Sequence, residues 1–326
     1  MFSGESRMRI AIVTSGGDAP GMNAAVRAVV RYADSVGLET IGIKEGYRGL
    51  IEGKIVKLQP RSVANILHIG GTILESSRCP EFRTDEGITK AAAFIARENI
   101  EGLVVIGGEG SFAGASRLIE TCSIPVIGIP ATIDNDVYGT ETTIGFETAV
   151  DTAVSAIDRI RDTALSHERV FVVEVMGRER GFVALEVGLA SGAGIILIPE
   201  VRFQLDQVCE KLHEYEEKGK KTTIIVVAEG VGDSSEIVDY IQKHTKFEVR
   251  LSKLGYILRG GSPTARSRVI ASMFGVHAVD RLLGGARNEI TAIQKGKVVS
   301  ADLESAWKRR KPIDKRILRM AEILAD

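Results

Sequence analysis

Two carboxylates stand out in the stretch Gly128-Ile-Pro-Ala-Thr-Ile-Asp-Asn-Asp-Val137, where Asp134 and Asp136 follow an apolar run and a proline. Aspartates just past a buried strand lie where a sheet presents ligands, in the crevice outside the carboxyl ends of its strands. One can accept a proton from a substrate hydroxyl, and the other can hold a metal-bound phosphate. Upstream, Thr14-Ser-Gly-Gly-Asp-Ala-Pro-Gly-Met-Asn-Ala24 follows an apolar run and opens a helical pattern. Glycines there let backbone N–H groups approach an anion, and a helix N-terminus adds its dipole. The segment lacks the Lys-Ser/Thr ending of a Walker loop, and its glycine content equally fits an ordinary tight turn. A second such turn is Val105-Ile-Gly-Gly-Glu-Gly-Ser-Phe-Ala-Gly114, in which Gly108, Gly110 and Ala113 match the weak dinucleotide pattern G-x-G-x-x-A. Glu109 would repel a pyrophosphate but suits a magnesium ion bridging phosphates. Ser111 is expected to cap the helix. The three segments together suggest phosphoryl transfer.

Arginines form a fourth element. Arg78, Arg83, Arg169, Arg178, Arg250 and Arg259 lie beside glycines, prolines or strand ends. Guanidinium groups bind phosphate through forked hydrogen bonds, although each taken singly also reads as a solvated surface charge. Glu229 ends the run Ile224–Ala228 and has two readings, a ligand for sugar hydroxyls or a partner for an arginine. Met176 reads as core packing, and His167 as a hydrogen-bonded loop residue.

These residues need a scaffold. The chain has 326 residues, enough for about two domains. Its 44% apolar and 26% charged residues are ordinary for a soluble enzyme. The net charge of −1 gives no bulk attraction to nucleic acid or to an anionic membrane, so any anion site must be local. Cys79, Cys122 and Cys209 match no zinc spacing and read as reduced thiols of a cytoplasmic protein. Cys79 falls in a polar loop, open to exposure, and reads as structural or incidental. No apolar run reaches membrane-spanning length. Residues 1–7 read as a short extension without a signal-peptide core. Apolar runs at Ile10–Val13, Thr40–Ile43, Leu103–Ile106, Pro125–Ile129, Val170–Val175, Ile195–Ile198 and Thr223–Ala228 predict strands of a parallel sheet buried on both faces. Helical spacing covers Met22–Ser35, Phe146–Thr163, Leu205–Lys218, Ser234–His244 and Arg268–Leu283. The alternation predicts an α/β fold. Tyr138–Gly145 reads as a hinge, and the basic run from Ala306 to Lys315 as a solvated face followed by a helix.

At this point the residues resemble the 6-phosphofructokinase family, from about Met8 to the C-terminus. The motifs that carry the resemblance are Ser15-Gly-Gly-Asp-Ala-Pro-Gly-Met-Asn23, Gly107-Gly-Glu-Gly-Ser111, Pro130-Ala-Thr-Ile-Asp-Asn-Asp136, Glu174-Val-Met-Gly-Arg178 and Arg259-Gly-Gly-Ser-Pro263. The resemblance implies transfer of the γ-phosphoryl group of ATP to the 1-hydroxyl of fructose 6-phosphate, with Mg²⁺, in a homotetramer. By position it makes Asp134 the catalytic base and Arg178 the cation that stabilises the transition state. Thr132 and Asp136 lie beside the transferred group and its metal. Gly17, Tyr47, Arg78, Cys79, Gly107, Gly108, Glu109, Gly110, Ser111 and Gly114 match nucleotide contacts, with Glu109 as the magnesium ligand. Thr132, Ile133, Asp134, Met176, Gly177, Arg178, Glu229, Tyr256 and Arg259 match the sugar-phosphate site, and Arg169 and Arg250 reach it from a neighbouring subunit. Arg27, Arg31, Arg161, Lys218, Lys220 and Lys221 match an effector-phosphate pocket.

The chain departs from the family pattern at four places. Glu109 stands where Asp is usual, Tyr256 where His is usual, and Cys79 where Phe is usual. In the effector pocket, Gly194 replaces a metal-binding Glu and Pro60 an Arg, which predicts a weak or altered response to ADP and phosphoenolpyruvate. Gly110 and Ala131 favour ATP, since pyrophosphate-using relatives carry Asp and Lys there. The combined expectation is two doubly wound, Rossmann-like three-layer domains with the active site in the cleft between them. The first would be residues 1–144 plus 258–308, holding nucleotide and magnesium; the second 145–257 plus 309–326, holding sugar phosphate. The alternatives are a pyrophosphate-dependent enzyme, a kinase of another sugar phosphate such as sedoheptulose 7-phosphate, an NAD(P)-dependent oxidoreductase and a non-catalytic regulatory subunit.

Overall fold

The computed structural model describes residues 8–325, the side chain of His167 excepted. The expectations for residues 1–7 and for His167 therefore lie outside the described residues. The chain divides into two compact units. One comprises the described residues up to Thr132, Asp136–Glu147 and Arg259–Lys311; the other comprises Ile133–Asn135, Thr148–Leu258 and the described residues from Pro312.

The chain opens with β1 (Arg9–Thr14), α1 (Met22–Ser35), β2 (Glu39–Ile43), α2 (Tyr47–Glu52) and β3 (Ile55–Leu58). Next come α3 (Asp85–Arg97), β4 (Gly102–Gly107), α4 (Glu109–Cys122), β5 (Val126–Thr132) and the two-residue β6 (Ile144–Gly145). Then follow α5 (Phe146–His167), β7 (Val170–Val175), α6 (Phe182–Ala190), β8 (Ile195–Leu197), α7 (Leu205–Glu217), β9 (Thr223–Ala228), α8 (Ser234–His244) and β10 (Val249–Lys253). The last elements are α9 (Ala265–Leu283), β11 (Glu289–Gln294), β12 (Lys297–Asp302), α10 (Leu303–Lys308) and α11 (Lys315–Leu324). No helix among the described residues is long and apolar enough to cross a membrane.

In the first unit the sheet order is β12-β11-β5-β4-β1-β2-β3, with β6 beside β5. Its middle strands are parallel, with Val13 opposite both Ile43 and Val105. They are continuous apolar runs because both faces are covered. Ala11, Val13, Leu103 and Val105 join a core with Leu50 of α2, Phe94 of α3, and Phe112 and Leu118 of α4. Alternate residues point the other way. On that side Leu282 of α9 and Ile10 crowd the position of a Cβ on Gly102. There α1 and α9 pack so closely that a Cβ on Gly275 would lie 2.6 Å from the Ala28 Cβ. The result is a three-layer, doubly wound arrangement.

Its edges add antiparallel strands that the sequence reading did not include. β3 runs antiparallel to β2, and β12 antiparallel to β11. Both edges are partly exposed, so Ile55-Val-Lys-Leu58 and Lys297–Asp302 lack the apolar runs that marked the central strands. The β11–β12 turn uses Lys295 and Gly296 at φ 51° and 72°, as a two-residue hairpin requires. The segment read as a hinge is bonded into this sheet: Glu141 N donates to the Ile293 carbonyl at 2.9 Å, and Ile293 N to Thr140 Oγ1 at 3.0 Å.

In the second unit β10-β7-β9-β8 form an all-parallel sheet. Val170, Val172, Ile225 and Val227 pack with Val208 and Leu212 of α7 and with Ile237 and Ile241 of α8. The opposite face carries α6. A Cβ on Gly188 of α6 would sit 2.4 Å from Ile196 Cδ1 of β8, so only glycine permits this approach. The C-terminal α11 packs on α6. The basic Lys308, Arg309 and Arg310 are exposed, as a solvated face requires.

Candidate active site

Within the first unit, β1 leads into α1 on one face of the sheet and β4 leads into α4 on the other. Adjacent strands whose connections leave on opposite faces open a crevice at their carboxyl ends. Both glycine-rich turns lie there. They are stitched together by Ser15 N donating to the Ile106 carbonyl at 3.0 Å and Ser111 Oγ donating to the Ser15 carbonyl at 2.9 Å. A Cβ on Gly107 would lie 2.4 Å from Ser111 Oγ and 2.5 Å from the Ser15 carbonyl oxygen, so the two turns can meet only at a glycine. This corrects the expectation that Ser111 caps α4. Gly108 is the N-cap and no side chain caps the first turn, because the Ser111 hydroxyl is turned onto the neighbouring loop. A helix start of this kind suits an outside anion. Nothing lies within 4 Å of a Cβ on Gly110, so the space above that turn is open. Thr132, at the end of β5, has its Cβ 3.6 Å from where a Gly108 Cβ would stand. Its carbonyl accepts from Thr143 Oγ1 at 2.6 Å, and Thr132 pairs with Gly145 of β6.

The surrounding loops are tied to the same strand ends. Thr14 Oγ1 donates to the Glu75 carbonyl at 2.8 Å and Ser76 Oγ to the Gly16 carbonyl at 2.6 Å. Buried Asn23 donates to the carbonyls of Ile69 and Gly70 and accepts from Ile73 N. These bonds carry Arg78, which is exposed, and Cys79, which is not: it is partly buried against the core. Tyr47 is buried, stacks on Phe82 at 4.0 Å and donates its hydroxyl to the Ser111 carbonyl. Burial pushes its phenol above the ordinary range. Gly114 packs against both rings. Tyr47 and Gly114 thus support the first turn of α4 from within. Arg259, grouped by resemblance with sugar-phosphate contacts, has its Nη1 3.3 Å from where a Gly17 Cβ would stand, beside the first glycine turn.

The second unit repeats the logic. β7 leads into α6 on one face and β9 into α8 on the other, so their carboxyl ends form a second switch point. Met176, 9% exposed, is the last core residue before Gly177 and Arg178. Gly177 has φ 152° and Arg178 has φ 53°, a left-handed conformation uncommon for a side-chain residue. Glu229, just past β9, accepts from the backbone N–H groups of both Gly177 (3.0 Å) and Arg178. Neither of its two sequence readings, sugar hydroxyls or an arginine side chain, anticipated this. A Cβ on Gly230 would lie 2.3 Å from the Arg178 carbonyl oxygen, so the contact needs glycine. Arg178 Nε lies 3.2 Å from Asp134 Oδ2. Asp134 is 2% exposed, whereas the Arg178 side chain is 58% exposed. A buried carboxylate needs a compensating partner, and the guanidinium supplies one while most of it faces solvent. Ile133 and Asp136 are also buried, and Asn135 between the aspartates takes φ 51°, which asparagine tolerates.

Other candidates lie elsewhere. Arg169 precedes β7 and Arg250 is near the start of β10, at the amino end of the second sheet. They share Glu248, whose carboxyl the Arg169 hydrogen bond holds below its usual range. The six extended residues Val170–Val175 separate Arg169 from Met176, roughly 20 Å. Tyr256 is 78% exposed on the 3₁₀ turn Gly255–Leu258. Of the effector set, Arg27 and Arg31 belong to α1. In the second unit Arg161 donates to the Ser191 carbonyl, Lys221 pairs with Glu168 and Lys218 is exposed. Lys220 Nζ donates to the Ala325 carbonyl at 2.7 Å and lies over the Tyr215 ring. Thr143, Arg180 and Glu200 also shape these turns but carry no sequence signal: Thr143 and Glu200 bond to backbone groups that no spacing reveals, and Arg180 pairs with Glu200 across an intervening helix and strand.

A family profile described as phosphofructokinase matches residues 9–282. The ATP-dependent 6-phosphofructokinase 1 of Thermus thermophilus is 53% identical over 319 residues, covering 97% of this chain and 99% of its own. The ATP-dependent 6-phosphofructokinase of Bacillus pumilus is 51% identical over 317 residues, with the same shares of the two chains. Among solved structures, phosphofructokinase from Saccharomyces cerevisiae superposes with a TM-score of 0.89 at 34% identity, over 93% of this chain and 45% of that longer one. With the two glycine turns, the Thr132–Asp136 segment and the Arg178 turn all in place, the chain belongs to the phosphofructokinase family.

Proposed function

We propose that this chain is an ATP-dependent 6-phosphofructokinase, transferring the γ-phosphoryl group of ATP to the 1-hydroxyl of fructose 6-phosphate in glycolysis. The observation that carries this reading is the Asp134–Arg178 pair, a nearly buried carboxylate beside a largely exposed guanidinium. Phosphoryl transfer asks little covalent chemistry of a protein; it asks for positioning and for charge opposite the transferring oxygens. Asp134 accepts the hydroxyl proton as the sugar oxygen attacks. Arg178 turns its fork to the equatorial oxygens of the transferring group. Backbone N–H groups of Gly17 and of Gly107–Gly110 hold the nucleotide phosphates. Thr132 and Asp136 flank the transferring group, and Ile133 lines the sugar side with Met176 and Gly177. Glu229 and Tyr256 take sugar hydroxyl or phosphate contacts, and Arg259 completes that set.

Magnesium enters as part of the nucleotide substrate. Glu109 would hold it, and the ion would neutralise charge between the phosphates. The donor set fits this role. Magnesium bound with phosphates takes one or two carboxylates rather than an all-protein cage, and no group of three or more His, Cys, Asp or Glu among the described residues forms such a cage. Glu109 opens α4 next to the open space at Gly110. That space supports ATP as donor, since it leaves room for the nucleotide beyond its β-phosphate, and Ala131 brings no cation for free pyrophosphate. A homotetramer is the assembly this reading favours, because Arg169 and Arg250 stand at the far end of the sheet from Arg178 and can serve a neighbouring copy. The cytoplasm is its compartment. A coupled assay across MgATP, Mg-pyrophosphate, fructose 6-phosphate and sedoheptulose 7-phosphate tests the assignment. Turnover is expected to be fastest with MgATP and fructose 6-phosphate; a faster rate with pyrophosphate would reject the donor, and with the seven-carbon sugar the acceptor.

A further inference from the structure

The turn that presents Arg178 is held at its other end by a second carboxylate. Arg180 N donates to the Gly177 carbonyl at 3.0 Å and closes the turn. Gly181 N donates to Glu200 Oε1 at 3.1 Å, and the same oxygen lies 3.6 Å from Arg180 Nε. Arg180 and Glu200 are largely withdrawn from solvent, their side chains 9% and 13% exposed. A Cβ on Gly181 would stand 2.5 Å from Ile198 Cβ and 2.7 Å from Glu200 Oε2, so the segment after β8 lies directly against the turn. Glu229 grips Gly177 and Arg178, and Glu200 grips Gly181. Between the two grips sits Arg178 at φ 53°. A residue in a sparsely populated conformation persists only when its surroundings over-determine it. Buried ion pairs add little net stability against apolar packing, so the Arg180–Glu200 pair is better explained by what it holds in place.

We propose that Glu200, with Arg180 as its counter-ion, is a positioning residue for the reaction: it sets the 177–181 turn and through it the Arg178 guanidinium. The proposal rests on the reading of Arg178 as the transition-state cation. In the full chain, Glu200→Ala is expected to lower kcat by roughly ten- to a hundredfold, as misplacement of a reacting group does, with KM for MgATP within about twofold. In an Arg178→Ala background the same change is expected to cost less than about twofold, because no guanidinium remains to be misplaced. Amide hydrogen exchange is expected to quicken at Arg178 and Gly181 and to stay unchanged inside β7 and β9. Glu200→Gln keeps an oxygen for the Gly181 N–H and is expected to recover part of kcat. Should Glu200→Ala fail to fold, the double change Arg180→Met with Glu200→Met removes both charges of the pair and is read in the same way. Equal losses in the two backgrounds overturn the proposal, and so do unaltered kcat and exchange. If Arg178→Ala itself costs nothing in kcat, the reading of Arg178 falls, while quickened exchange at Gly181 still upholds the grip on the turn.

Discussion

Arg178 joins an uncommon backbone conformation to the role proposed for it, stabilising charge on the transferring group. Its φ of 53° is held by Glu229, and its Nε reaches Asp134. Charge alone does not describe its role. Lysine in its place keeps the charge but loses the planar fork and carries a compact, strongly hydrated ammonium. Arg178→Lys is therefore expected to lower kcat by about a hundredfold and Arg178→Ala by up to about a thousandfold, with KM for MgATP little altered, measured by steady-state kinetics. A fall in affinity at unchanged kcat would make Arg178 a binding residue instead. The placement of Asp134 just past β5 was legible in the sequence because an apolar run, a proline and two acids one residue apart form a local pattern. The role of Glu229 was not. Its bonds run to the N–H groups of residues about fifty positions away, and backbone acceptors leave no mark in composition or spacing. Ser111 misled for a related reason: a serine at a helix start reads as a cap unless one knows that another loop crosses it.

At the scale of elements, the active turns are placed by two switch points, one in each sheet. The first depends on contact between the turns after β1 and β4, which only glycine permits at position 107. Gly107→Ala forces that contact apart and is expected to destabilise the first unit by about 1–3 kcal/mol, visible as a lower Tm in thermal unfolding. An unchanged Tm would mean that the two turns are not locked together. The parallel strands β1, β2, β4, β5, β7, β8 and β9 were legible because a strand buried on both faces has no polar alternation, whereas the interior strand β11, Glu289-Ile-Thr-Ala-Ile-Gln294, breaks its apolar run with Thr291 and went unread. Edge strands β3 and β12 were missed because one side meets solvent and their composition mixes Lys, Ser and Asp with Val and Ile. The helix from Phe146 also runs to His167, past the Thr163 at which its apolar spacing weakens. Helix α6 went unread because its run Phe182-Val-Ala-Leu-Glu-Val-Gly-Leu-Ala190 is apolar on nearly every side, leaving no periodic face to detect.

For the whole molecule, the placement of Arg169 and Arg250 bears on assembly. If they complete the site of a neighbouring copy, the double variant Arg169→Ala/Arg250→Ala and the variant Asp134→Asn are each nearly inactive alone. Mixed assemblies formed by unfolding and refolding the two together are then expected to regain up to about a quarter of wild-type activity, the share of sites whose two halves are both intact. This share follows from an isologous contact, in which each copy completes the other. No recovery would place both arginines outside the site. Regulation belongs to the same scale. A Cβ on Gly194 would lie 2.7 Å from Thr223 Cγ2, and Lys220 is already bonded to the Ala325 carbonyl, which leaves little room for the pocket's usual metal-binding carboxylate. Saturation curves for fructose 6-phosphate are expected to shift less than about twofold with ADP or phosphoenolpyruvate, since a ligand moves an equilibrium only by its differential affinity; a large leftward shift with ADP would refute this. The central claim, that Asp134 takes the proton from the sugar hydroxyl, is tested most directly by kcat of Asp134→Asn with MgATP and fructose 6-phosphate, alongside calorimetric binding of both ligands. The account predicts a fall of about a hundredfold or more at preserved binding, and turnover within a few-fold of wild type would contradict it.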